Sequence, residues 1–287
     1  MVDWDSLDMS MAPEGYAELR TAVVRVELPG MAYFRLAGAD CVGWLQGQAT
    51  NDVADLDGGP VDFCLTKPTG QILALCRVWS HEGAMLVATA EPEVLVSRVE
   101  QTVFIEDVVL ERIENQAVCL QGPLAKSDGT ALPSDRTGSG GSEVFAAAEA
   151  PLISPEGFDL ATLEAGVPHL GVDTTDKTLP PELGPAFEAA HVSYAKGCYT
   201  GQEVLMRIRA RGHTNKTWVG LKLEGAAKQG DQVEFESKAV GKIQRTAVSP
   251  AFGCIASATL RTAAVEPGTQ VAVGGAPATV VEMPFLR

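Results

Sequence analysis

The spacing of apolar residues changes its period several times along the chain. Tyr33–Leu36 predicts a short strand, and Gly38-Ala-Asp40 then opens a helix through Cys41–Gln48, with Asp40 placed to cap it. Strand-like runs follow at Val61–Leu65, Gln71–Trp79 and Ala84–Ala90, separated by the turn signals Lys67-Pro-Thr-Gly70 and Ser80-His-Glu-Gly83. Glu93–Gln101 has a helical spacing, Val108–Ile113 and Ala117–Gln121 read as strands, and Phe158–Gly166 as a short helix stopped by its glycine. Residues 1–20 form an acidic lead, helical or loose. Thr137–Ser142 is flexible by its Gly/Ser composition, and Leu179–Pro185 is irregular. Helices interleaved with strands predict mixed α+β layers.

After Gly212 the texture changes. Six short apolar runs alternate with Gly and Pro turns: Thr217–Leu223, Gln232–Glu236, Ala239–Ser249, Cys254–Leu260, Gln270–Val273 and Ala278–Glu282. That spacing predicts a small closed antiparallel β-barrel. The expected organisation is therefore residues 1–213 as an α+β region and 214–287 as a barrel domain.

Charge narrows the function. The 287 residues carry a formal charge of −15, which argues against stable nucleic-acid binding because phosphate contacts dominate that affinity. No apolar run approaches the ~18 residues that predict a membrane span. The acidic start, Met1-Val-Asp-Trp-Asp-Ser6, lacks the basic head of a signal peptide, so the expected location is the cytoplasm. The six cysteines, at 41, 64, 76, 119, 198 and 254, include no C-x-x-C pair, which excludes the common zinc and ferredoxin spacings. Cys64, Cys76 and Cys119 sit in apolar runs and read as core. His81, His169, His191 and His213 share no metal-ligand spacing and read as surface or capping residues; no metal site is expected. Trp44 and Trp79 read as core, Trp4 as docked on the body, and Asp173-Thr-Thr-Asp176 as a turn.

The candidate chemistry lies in Lys196-Gly-Cys-Tyr-Thr-Gly-Gln-Glu203 and the arginines that follow at 207, 209 and 211. Thr200 and Glu203 have the spacing of a capping box, and Tyr199 and Val204 that of a hydrophobic staple. On that reading Cys198 lies beside a positive helix end and Lys196, an environment that favours thiolate. A helix would put Arg207 and Arg211 on one face with Arg209 elsewhere; an extended chain would put all three on one side. Either makes a basic strip suited to carboxylate or phosphate.

The octet resembles the signature of the YgfZ-type folate-binding proteins, which assist iron–sulfur enzymes. Phe34–Gly38, Trp44–Val53, Phe63–Gln71, Leu163–Pro168 and Leu179–Glu182 resemble further segments of that family, so most of residues 33–225 is covered. The wider superfamily includes the T-protein of the glycine cleavage system, an aminomethyltransferase. The resemblance implies an aminomethyltransferase-like fold of ferredoxin-like α+β units with a C-terminal barrel. It implies tetrahydrofolate, polyglutamylated or not, as ligand. Glu164, from L-E-A-G, is the implied pterin contact, and Lys196, Gly197, Tyr199, Gln202, Glu203, Arg207 and Arg209 are implied around the cofactor. Cys198 is the implied functional thiol, and the implied partners are iron–sulfur client enzymes, tRNA-thiolating ones included, or assembly factors. One departure bears on activity. The stretch Gly70–Cys76 has no carboxylate where T-proteins carry acidic residues, which argues against the alternative role, a folate-dependent aminomethyltransferase or other one-carbon transferase.

Overall fold

The computed structural model describes residues 2–114, 116–125 and 131–286. Three bodies stack around shared apolar seams. The helices are α1 (Tyr16–Thr21), α2 (Cys41–Gln48), α3 (Pro92–Thr102), α4 (Pro155–Glu164), α5 (Pro185–His191) and α6 (Gln202–Arg211). The strands run β1 (Val24–Val26), β2 (Ala32–Ala37), β3 (Val61–Thr66), β4 (Ile72–His81), β5 (Ala84–Thr89), β6 (Val109–Ile113), β7 (Val118–Gln121), β8 (Leu132–Pro133) and β9 (Gly141–Val144). They continue in the C-terminal part with β10 (Lys216–Leu223), β11 (Gln232–Phe235), β12 (Lys238–Ser249), β13 (Gly253–Arg261), β14 (Gln270–Val273) and β15 (Ala276–Val281).

The first body is an antiparallel five-stranded sheet of order β3-β4-β5-β2-β6. Strand β4 alternates buried and half-buried residues, as period-2 side chains on a covered sheet must. Trp44, Leu45, Phe63, Leu65 and Val87 share its core, each fully buried large side chain contributing roughly 1.5–3 kcal/mol. The second body is the sheet β1-β7-β9-β8, packed by α1 and α4. The third is the expected closed barrel, in the order β10-β13-β12-β11-β14-β15.

Several local expectations are corrected. Asp40 sits at the start of α2 but its side chain bonds no helix N–H; the carboxylate accepts instead from Asp107 N at 2.8 Å. Helix α4 starts at Pro155 rather than Phe158, because the Ser154 hydroxyl caps Gly157 N and proline suits the first turn. The Gly/Ser segment at 137–142 is anchored, not loose: Asp135 Oδ1 accepts from Thr137 N and Gly138 N, and residue 141 begins β9. Helix α5 arises directly after the irregular-looking prolines, for which Pro185 serves as an N-terminal residue. Cys64, Cys76 and Cys119 are buried, as are Trp44 and Trp79, and Trp4 packs edge-on against Tyr16.

Buried carboxylates tie the barrel to the α+β region. Asp173, in the turn between α4 and the prolines, accepts from Trp218 Nε1 (3.0 Å) and Ser257 Oγ (2.7 Å) and pairs with Arg245. Arg245 reaches back to Val167 O, Thr162 Oγ1 and Asp159. Among the described residues no helix is long and apolar enough to cross a membrane.

Candidate functional site

The octet folds as a loop clasped between α2 and the β3–β4 hairpin. The Lys196 ammonium donates to three main-chain carbonyls at the end of α2: Gln46 (2.7 Å), Ala49 (2.8 Å) and Asn51 (2.7 Å). All three N–H groups are thereby engaged, and burial lowers the lysine to about 8. Lys196 is a latch rather than part of an anion clamp. Thr200 N–H donates to Gly47 O, and Thr200 O accepts from Thr66 Oγ1 at 2.6 Å.

The expected capping box does not form. Gly201, left-handed at φ +87°, caps α6, because a Cβ there would lie 2.7 Å from Lys67 O and Thr66 Oγ1. This sets the helix start one residue later than Thr200 requires. Glu203 pairs instead with Arg207 (2.7 Å) on the exposed face. The staple is replaced too: Tyr199 packs with Val192 and Leu205, while Val204 lies against Gly70.

Of the two geometries open for the arginines, the helix is the one formed. Arg209 stacks over the Tyr194 ring (4.2 Å to its centroid) and borders a 480 Å³ cleft against the barrel. Arg207, Arg209 and Arg211 therefore do not converge on a common anion. Gln202 Nε2 lies 3.4 Å from Gly197 O, closing the loop on itself. Cys198 is exposed, whereas Tyr199 is buried.

Glu164 lies in a separate network, fully buried. The Tyr16 hydroxyl donates to both carboxylate oxygens (2.9 and 2.8 Å), Ser249 Oγ donates at 2.5 Å, and Arg20 forms an ion pair with it. Arg20 is itself held by Thr137 O and Ser139 Oγ, and lies over the Trp4 ring at 4.7 Å. Neither Glu164 nor Cys198 lines any of five cavities of 270–650 Å³ found among the described residues. Thiol, arginines and buried acid therefore do not line one of these cavities together. The sulfur is exposed, but the acid is already partnered by the protein's own donors.

Two of those cavities adjoin at the centre of the fold. One, of 520 Å³, is walled by Leu28, Ile153, Phe158 and Leu170, and the other, of 280 Å³, by Arg77, Phe187, His191 and Met283. They share Met31, Leu75, Arg136, Val167 and Pro168. The L-E-A-G-V-P segment runs along this wall, one residue beyond Glu164. Gly166 makes the close approach possible: it is left-handed, and a Cβ would sit 3.0 Å from Pro284 Cα.

The charged groups of the wall are mostly saturated. Arg77 grips Asp62 bidentately (2.6 and 2.7 Å). Burial would raise the Asp62 carboxyl, but the guanidinium overrides it and holds the acid below its ordinary range. His191 stacks on Phe187 and, in the last turn of α5, its Nδ1 lies 3.0 Å from Phe187 O; His169 lies beside Arg245 and Asp159, and both are partly buried cavity residues rather than surface ones. Burial lowers both imidazoles, aided at His169 by Arg245. Sequence reasoning missed Arg77, Arg136 and His191. Arg77 was signalled by a lone arginine in the apolar run of β4. Among the described residues no group of three or more His, Cys, Asp or Glu could hold a metal ion.

Residues 216–286 match the family model for the glycine cleavage T-protein C-terminal barrel domain. The fold is similar to that of the glycine cleavage system aminomethyltransferase T from Bartonella henselae. The TM-score is 0.81 at 19% identity, over 95% of this chain and 88% of that one. A tRNA-modifying protein YgfZ from Pectobacterium atrosepticum is 24% identical over 77% of each chain. The chain is thus similar in sequence to a YgfZ protein, carries the T-protein C-terminal barrel domain and shares the aminomethyltransferase T fold. A putative chloroplastic transferase of Arabidopsis thaliana is also 24% identical, over 77% of this chain and 61% of its own length.

Proposed function

We propose that this chain is a YgfZ-type, cytoplasmic tetrahydrofolate-binding accessory protein that supports assembly or repair of iron–sulfur clusters in client enzymes, tRNA-modifying ones included. The observation that carries the folate part is the pair of adjoining cavities. Together they have the size of small-molecule sites and a surface that is more apolar than polar. A flat pterin suits the larger, mostly apolar cavity, and Arg136 is the polar residue on the wall that the two share. The name of the Pectobacterium relative supports the tRNA-modification part. Cys198, exposed at the tip of a braced loop, would meet the client. Glu164 would help hold the ligand only indirectly, by fixing the segment that forms the wall.

The test is calorimetric titration of tetrahydrofolate into wild type and Ala190→Trp. Ala190 is exposed on α5 and lines the smaller cavity, so an indole there fills the mouth without disturbing the core. The expected result is at least about a tenfold loss of affinity with an unchanged melting temperature. Equal binding by the variant would remove the ligand from this cavity. In parallel, Cys198→Ser should keep folate affinity and fail to restore a [4Fe–4S] tRNA-thiolating activity in cells lacking the native gene. Full restoration would leave the thiol without a role, and turnover of an aminomethyl donor would favour a one-carbon transferase instead.

A further inference from the structure

Arg136 occupies the one position shared by both cavities at which a cation stands. Its guanidinium is gripped on one edge only. Nε and Nη2 both donate to Glu143 Oε1, at 3.0 and 2.6 Å, and the Arg136 main-chain N–H donates to Gln121 Oε1 at 2.8 Å. Glu143 is fully buried and is also held by Ser134 Oγ (2.6 Å). The planar group is therefore fixed in orientation before any ligand arrives. Its Nη1 hydrogen-bonds to none of the described residues, and the side chain remains 18% exposed. Arg77, the other arginine nearby, differs: its Nε and Nη2 are taken by Asp62 and its Nη1 by Ser134 Oγ.

We propose that Arg136 Nη1 is the polar anchor of the cavity ligand, donating to the amide carbonyl oxygen of the benzoyl group of a folate laid across the shared wall. The inference rests on the folate reading above. Two features select that oxygen. Glu143 already balances the arginine's charge, so a neutral acceptor is matched better than a second carboxylate. And the anchor lies where the two cavities meet, so it addresses the middle of a long ligand, with the flat ring system on one side and the glutamyl tail on the other. A donor held by a buried partner is preorganised, and forms its bond without further ordering of the side chain.

The test compares tetrahydrofolate with an analogue whose benzoyl carbonyl is a methylene, titrated by calorimetry into wild type and Arg136→Lys. Wild type should bind the analogue about tenfold more weakly, the scale of a hydrogen bond from a charged donor. Arg136→Lys should bind the two ligands equally, because an ammonium drawn to Glu143 loses the second edge. The wild-type comparison alone decides the matter should the variant fold poorly. Equal wild-type affinities, or a variant that keeps the full preference, would overturn the anchor and leave the folate reading intact. No tetrahydrofolate binding by wild type would overturn the folate reading itself.

Discussion

Glu164→Gln separates a structural acid from a ligand contact. The change keeps size and shape but removes the charge opposite Arg20, which is fully buried at its side-chain end. Tyr16 and Ser249 carry hydroxyls that can turn and accept from the new amide; Arg20 has only donors and cannot. Breaking a buried ion pair from one side costs about 3–5 kcal/mol. With an unfolding entropy of about 2.1 cal/mol/K per residue, 287 residues give roughly 0.6 kcal/mol/K, so the melting temperature should fall by about 7 °C. Arg20→Met should be similarly damaging. The double variant should melt higher than additivity requires, by the equivalent of about 2 kcal/mol, because neither charge is then left alone. The assay is a thermal melt by circular dichroism on all four proteins. A Glu164→Gln protein melting within about 1 °C of wild type, yet weakened in folate affinity, would refute the structural assignment and restore the acid to the ligand.

Two other outcomes follow from burial. A chromogenic thiol reagent should titrate two cysteines per native chain, Cys198 and Cys254, and all six in urea. Cys64, Cys76 and Cys119 are sealed, with burial pushing Cys76 and Cys119 up to about 12, and Cys41 is buried as well. Mass mapping that finds Cys198 unlabelled would sink the exposed-loop geometry. Stability should also decline as pH falls below about 6.5, the ordinary histidine value. His169 and His191 have lowered folded values, so in this window the unfolded chain binds more protons and unfolding gains. His191→Gln, which leaves Asp62 and Arg77 to pair, should flatten that decline; an unchanged slope in urea melts between pH 5 and 7 would count against it.

How much of this could be read in the chain depends on how far apart the interacting residues lie. The barrel was legible because its alternation and its Gly and Pro turns are local, and six runs gave six strands. Helix α2 and strands β3–β5 were legible for the same reason. Helix α5 was hidden because Pro180, Pro181 and Pro185 read as breakers, although Pro180 opens a 3-10 turn and Pro185 starts α5. The capping box failed by a single position, decided by the contact of Gly201 with a hairpin some 130 residues earlier. The partners of Glu164 come from residues 16, 20 and 249, and those of Lys196 from 46, 49 and 51. No spacing rule reports such pairings, so both charges looked available when both were already engaged. Arg136 directly precedes a Gly/Ser-rich stretch that suggested motion rather than anchorage.

The braced octet divides its labour unevenly among its letters. Its lysine and threonine fasten the loop to the end of α2 and to the β3–β4 hairpin, its second glycine leaves room for that contact, and their identities are dictated by geometry that has nothing to do with sulfur. Position 198 is held out to solvent. Such a mount can be recognised in a polypeptide whether or not it carries a thiol, and swapping the displayed group would change the reagent without reshaping its holder.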